Sequence, residues 1–173
     1  MTGHPLRMAL AVCLLAAGPA AAQQVCKYDS IAATAPASRF TDNGDGTVTD
    51  TGTGLQWKRC SEGQTWNGGT CIGSATNHVW QQALQLAEAA SYAGKDDWRL
   101  PNVKELASIV ELACYNPAIN STTFPATPAY YYWSSSPYAH GPAGAWYVYF
   151  HFGLDGHFSK TNVSRVRLVR GGQ

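Results

Sequence analysis

The sequence predicts an α+β domain, and three observations carry that expectation. Residues 39–59, "RFTDNGDGTVTDTGTGLQWKR", set Phe, Thr and Val in short alternating runs between N-G, D-G and T-G-T-G turn signals, the pattern of strand, turn, strand, turn, strand. Two segments with helical periodicity follow. From Tyr115 onward that periodicity is gone, Pro, Gly and aromatic residues dominate, and only short runs such as "YYYWSSS", "AWYVYFHF" and "SRVRLVR" read as strands. Strands, two helices, then strands again is an α+β order.

The chain has 173 residues, enough for one domain with a sizeable core. Charged residues make up 13% and aromatic residues 12%, a balance that argues against disorder and against a strongly charged nucleic-acid binder. Residues 1–22 read as a signal peptide: Arg7 supplies the positive start, Met8 to Gly18 a short apolar stretch, and Ala20 to Ala22 small residues for cleavage before Gln23. The apolar stretch is shorter than the ~20 residues a spanning helix needs, so export without a transmembrane segment is expected. "LAVC", residues 10–13, is a poor lipid-attachment site, because Val12 stands where a small residue belongs. The exported protein is expected to be periplasmic, secreted or at the cell surface.

Residues 23–38 form a small, polar lead-in. Once the signal is removed, Cys26, Cys60, Cys71 and Cys114 remain, an even number that points to two disulfides in an exported protein. Three pairings are open. Cys60 with Cys71 is favoured because "CSEGQTWNGGTC" is short and glycine-rich, and closing such a loop contributes roughly 3 kcal/mol. That choice leaves Cys26 for Cys114. A zinc site is disfavoured by the lack of C-x-x-C spacing. "DNGDG", residues 42–46, has glycines where a calcium loop needs oxygen ligands, so it reads as a tight hairpin.

"VWQQALQLAEAASYAG", residues 79–94, is the first helix, with Trp80, Ala83, Leu84 and Ala87 on one face and Gly94 as its stop. The second follows Asn102, which can cap it with Glu105 three residues on. Val103, Leu106, Ile109, Val110 and Ala113 line its buried stripe.

"AWYVYFHF", residues 145–152, sets the central question. In an extended chain Trp146, Val148, Phe150 and Phe152 fall on one side, and Tyr147, Tyr149 and His151 on the other. The first set is expected in the core. Rings in the second set fit either a sheet stabilised by burial or cross-strand aromatic pairs, or a surface that meets a ligand.

Four motifs, "GLQWKR", "DWRLPNVKEL", "YYWSSSP" and "RVRLVR", in this order and spacing resemble the Lcl-type C-terminal domain family of exported bacterial proteins, over residues 40–170 or so. The resemblance implies a C-type-lectin-like fold, distantly similar to formylglycine-generating enzymes: two helices, small antiparallel sheets and a long, irregular, loop-rich C-terminal region. The binding domain would span residues 39–173. Within it, residues 133–170 resemble the variable region of target proteins of diversity-generating retroelements, in which framework positions alternate with positions rewritten at template adenines. On this likeness Trp133, Trp146, Val148, Phe150, Gly153, Asp155, Arg165, Val166 and Leu168 are framework.

The implied variable, ligand-contacting positions are Tyr138, His140, Gly141, Gly144, Tyr147, Tyr149, His151, Phe152, Leu154, Gly156, His157, Phe158, Ser159, Thr161, Asn162, Val163 and Ser164. None of them is Lys, Glu, Gln, Met or Trp, the types that adenine mutagenesis of an AAC codon cannot reach. Tyrosines on an outward row would offer large amphipathic contact area at low entropic cost.

The expected function is ligand recognition by an exported protein whose C-terminal surface is diversified by a retroelement, the partner being a protein or glycan on a cell surface. A second reading takes Lys160, Arg165, Arg167 and Arg170 as a basic run of a fixed-specificity adhesin for sulfated glycans or other polyanions. The same charges could instead pair with Asp96, Asp97 or Glu105. No enzyme is expected: no cysteine follows Cys114, where formylglycine-generating relatives use late cysteines, and Ser134, Ser135 and Ser136 lack a nucleophile elbow. His140, His151, His157 and Asp155 lack a ligand spacing, and the sugar-binding motifs of calcium-dependent lectins are absent, so neither cofactor nor metal is expected.

Overall fold

Residues 23–171 are described by a computed structural model, and the proposed signal peptide at 1–22 lies outside the described residues. Among the described residues thirteen short strands and two α-helices follow one another. The order is β1 (Val25–Cys26), β2 (Phe40–Asp42), β3 (Thr47–Asp50), β4 (Gln56–Lys58), β5 (Thr65–Trp66), β6 (Cys71–Ile72), β7 (His78–Val79), α1 (Trp80–Glu88) and α2 (Val103–Ser108). Then come β8 (Cys114–Tyr115), β9 (Tyr131–Pro137), β10 (Gly144–Tyr149), β11 (Leu154–Ser159), β12 (Val163–Ser164) and β13 (Val169–Arg170). This is a mixed α+β chain of small antiparallel sheets with few helices.

The turn signals of residues 39–59 build an antiparallel meander of β2, β3 and β4, to which β13 adds beside β4. Its first turn is fixed by side chains that imitate backbone: Asp42 accepts from the Gly44 N–H at 2.9 Å and Asp45 from the Thr47 N–H at 3.0 Å. At the second turn the buried Asp50 carboxylate takes the Arg39 guanidinium, the Thr53 hydroxyl and the Gly52 N–H. Burial pulls the Asp50 carboxyl upward, but those hydrogen bonds outweigh it and hold the group below the usual carboxylate range.

Both disulfides form, Cys60 with Cys71 and Cys26 with Cys114. The lead-in is also held by the Cys26↔Cys114 register of β1 on β8, and by the buried Glu111, whose carboxylate accepts from the Thr34 and Ala35 N–H groups at 3.0 Å each.

The capping box of α2 is present, with Asn102 accepting from the Glu105 N–H at 2.9 Å and Glu105 accepting from the Asn102 N–H at 2.8 Å. The helix ends at Ser108, yet Ile109, Val110 and Ala113 are buried as expected. The first helix departs further: α1 stops at Glu88, not near Gly94. Ala93 and Gly94, at φ 53° and 69°, instead turn a tight hairpin in which Tyr92 and Lys95 exchange backbone hydrogen bonds at 2.9 and 3.0 Å. Positive φ at both central residues is the primed-turn geometry that Gly favours.

Two cores result. One joins Val48, Leu55, Trp57 and Val169 of the meander to Leu106, Ile109, Tyr132, Val148 and Phe150. The other joins Ala83 and Ala87 of α1 to Trp98, Leu100, Trp133, Ala145, Val166 and Leu168. The sheet of β9, β10 and β11 therefore meets one hydrophobic layer on each face.

Candidate functional site

β10 is the central strand of that sheet. It pairs with β9 through Tyr147↔Trp133, Val148↔Tyr132 and Tyr149↔Tyr131, and with β11 through Ala145↔Phe158, Tyr147↔Gly156 and Tyr149↔Leu154. Between Ala145 and Tyr147 the β9 register shifts, so Ser134, Ser135 and Ser136 stand opposite Trp146 alone. These serines are fasteners: Ser134 Oγ donates to the Trp146 carbonyl at 2.8 Å, Ser135 N–H to the Pro101 carbonyl at 2.7 Å, and Ser136 Oγ accepts from the Val103 N–H at 3.0 Å.

Residues of one parity, Ala145, Tyr147 and Tyr149 with Trp133 and Tyr131, share a face. Trp133 and Ala145 are fully buried there, Tyr147 and Phe158 pack against them half-buried, and the rings continue outward. Tyr131 sits at the centre, stacked on Tyr149 at 4.1 Å and edge-on to Tyr147 at 5.0 Å and Phe158 at 4.8 Å. His151 stacks along Tyr149 at 5.6 Å, and Phe152 meets His151 edge-on at 4.2 Å. Tyr130, Phe152 and Leu154 are 40%, 54% and 61% exposed, so apolar surface stands in solvent around the cluster. Burial first, then the neighbouring Tyr131, pushes the Tyr147 and Tyr149 phenols above their ordinary value, so both remain neutral hydroxyls able to donate or accept. Beside the rings, a cleft of about 450 Å³ is lined by Tyr130, Tyr131, Phe158, Thr161, Asn162 and Val163.

The positions singled out by sequence do not all join this cluster. Tyr138 and His157 stack at 3.7 Å on the opposite face, with Trp146 5.6 Å from Tyr138 and His140 5.7 Å from it. Trp146, expected in the core, is only half-buried and belongs to this second ring patch. Phe152, placed on the core side by alternation, lies beyond the end of β10, where the chain turns and the period of two no longer applies. Ser159, Thr161, Asn162 and Val163 are exposed in and beyond β11, and Gly141 lies in the β9–β10 connection. Gly144 and Ser164 are buried, so neither offers a side chain to a ligand. Gly156 serves packing: a Cβ there would come within 2.5 Å of the Tyr147 hydroxyl, so the glycine makes room for that ring.

Sequence reading missed Tyr130 and Tyr131 as members of the cluster. Tyr131 shares parity with Trp133 in "YYYWSSS", a signal the alternation of β9 contains.

The basic run does not form a stripe. Arg167 is fully buried between the Phe124 and Tyr132 rings, 4.8 and 5.9 Å from its guanidinium carbon, and donates to the Lys58 carbonyl at 2.9 Å and the Thr127 hydroxyl at 2.7 Å. Arg170 pairs with Asp97 at 2.6 Å, Arg165 lies over Tyr130, and Lys160 lies over Trp80. Among the described residues no three His, Cys, Asp or Glu side chains converge as a metal site would require.

No curated protein matches the chain. The model of the Lcl C-terminal domain family matches residues 46–170, a span that contains the meander from Gly46 on, both helices, the ring-bearing sheet and all four of the motifs quoted above, and the chain belongs to that family.

Proposed function

We propose that this protein is an exported, non-enzymatic ligand-binding domain of C-type-lectin-like architecture, which recognises a protein or glycan on a cell surface through the rings of β9, β10 and β11. The observation that carries the reading is the half-exposed cluster of Tyr131, Tyr147, Tyr149 and Phe158, bordered by exposed Tyr130, Phe152 and Leu154. Rigid rings with polar tips, already stacked, lose little entropy when a partner settles on them. Four of the six residues around the adjoining cleft, Phe158, Thr161, Asn162 and Val163, are positions the retroelement likeness assigns to diversification. The two disulfides support an oxidising destination.

The polyanion alternative is less favoured, since Arg167 is enclosed and Arg170 is paired with Asp97, which leaves Lys160 and Arg165 of the four. Binding of the labelled domain to a panel of cell surfaces tests the reading: Tyr149→Ser and Phe152→Ser should abolish binding while the protein stays folded. Undiminished binding by both would refute it. Diversification has its own test in the DNA, an imperfect repeat of the 3′ end of the gene differing at adenines beside a reverse transcriptase.

A further inference from the structure

β11 has one neighbour. The sheet order is β11, β10, β9, and no strand among the described residues lies on the other side of β11. Which backbone groups point to that open edge follows from the bonds of β10. Gly144 donates to the Gly141 carbonyl and accepts from the Tyr138 N–H, the Trp146 carbonyl accepts from Ser134, and the Phe150 N–H donates to the Tyr130 carbonyl. Even-numbered residues of β10 thus address the β9 side, and Ala145, Tyr147 and Tyr149 address β11. Their register partners Phe158, Gly156 and Leu154 are turned inward, as is Lys160, whose N–H donates to the Ala143 carbonyl. The N–H and C=O groups of Asp155 and His157 therefore face the open edge. Natural edge strands are usually blunted by lysine, proline or a bulge. "LDGHFS" has no lysine or proline, and its register with β10 is continuous.

The same six residues are chemically symmetric about Gly156. An antiparallel copy centred on Gly156 would set Asp155 opposite His157 and His157 opposite Asp155, while Leu154 meets Phe158 twice on the other face. The parity agrees with the edge, because Asp155 and His157 are the residues whose backbone groups point outward. Carboxylate and imidazole are complementary in hydrogen bonding, Leu154 is exposed, and Gly156 keeps the twofold centre free of side chains.

We propose that two copies of this chain pair edge to edge through β11, forming a continuous six-stranded antiparallel sheet with a twofold axis at Gly156. The contact is isologous, so each Asp155–His157 pair occurs twice. Such a dimer places the two ring clusters on one side of a common sheet and offers a partner two copies of the surface at once, which raises avidity without new contacts. The pairing does not depend on the function proposed above, since its backbone bonds and the Asp155–His157 contacts lie along the edge of β11, and only Leu154 and Phe158 are shared with the ring face.

Sedimentation velocity of the exported chain over a concentration series, with charge variants, tests it. Wild type should form a weak, concentration-dependent dimer, as expected for a small interface. Asp155→His places His opposite His, and His157→Asp places Asp opposite Asp, so each alone should weaken dimerisation by about tenfold. The double variant Asp155→His with His157→Asp restores the complement and should recover it. Mixing the two single variants should likewise give a heterodimer stronger than either homodimer. Circular dichroism and melting of each variant show whether it is folded. A wild type that stays monomeric into the millimolar range, including one that captures an extended peptide on β11 instead, overturns the proposal. So does a dimer unaffected by both single variants, or a folded double variant that fails to recover.

Discussion

The sheet of β9, β10 and β11 carries one covered stretch on each face: α2 and the meander lie over Tyr132, Val148 and Phe150 on one, and the α1 layer lies over Trp133 and Ala145 on the other. Past the α1 layer the same strands and their turns carry rings of the same kinds, yet Tyr130, Phe152 and Leu154 stand in solvent and Tyr131, Tyr147 and Tyr149 are only half-covered. Aromatic content does not distinguish the covered stretches from the open one. What distinguishes them is whether a second layer lies above the ring, and α1 and α2 are too short, at nine and six residues, to reach over the whole sheet.

The largest effects should come from the covered stretches. Trp133→Ala and Phe150→Ala each remove a fully buried ring and should cost about 3 to 5 kcal/mol in urea unfolding. Arg167→Leu comes next, at about 2 to 3 kcal/mol, because it leaves the Lys58 and Arg59 carbonyls buried without a donor. A smaller loss would mean that the cavity admits water. Trp146→Ala, whose ring is half-exposed and rests on Tyr138 and His157, should cost only about 1 to 2 kcal/mol, clearly less than Trp133→Ala. Equal losses for the two tryptophans would erase the distinction between core and second ring patch.

Acid should act on the scaffold. The folded-state carboxyl of Asp50 titrates below its unfolded value, so its stabilisation is complete above that unfolded value and is lost as pH falls through the folded one. The urea midpoint should therefore hold steady from neutral pH and drop below about pH 4, and Asp50→Asn should flatten that drop. A wild-type midpoint independent of pH there would contradict the assignment. The smallest effect belongs to the open stretch: Phe152→Ser should change stability by no more than about 0.5 kcal/mol.

The features legible in the sequence are those with local causes. Glycine turns set the meander, Asn102 and Glu105 set the start of α2, and the short spacing of Cys60 and Cys71 set one disulfide, leaving Cys26 for Cys114. What escaped depends on distant partners. β11 was not recognised because "LDGHFS" has a polar and glycine-broken pattern and is a strand only because β10 lies beside it. Arg167 looked like a surface charge because its carbonyl and ring partners are contributed by residues 58, 59, 124 and 132. Alternation correctly separated Trp146, Val148 and Phe150 from Tyr147 and Tyr149, but could not show that no layer covers Trp146, and it lapsed at Phe152, past the strand end.

A saturation library spanning residues 131–164, displayed on cells and sorted for resistance to protease, measures most directly whether the outer rings are a surface or a core. Positions 149, 151, 152 and 154 should accept nearly every residue, whereas positions 132, 133, 148 and 150 should accept almost none. If the tyrosine at 149 proves as irreplaceable for folding as the phenylalanine at 150, the rings exist to hold the protein together and the recognition surface is not there.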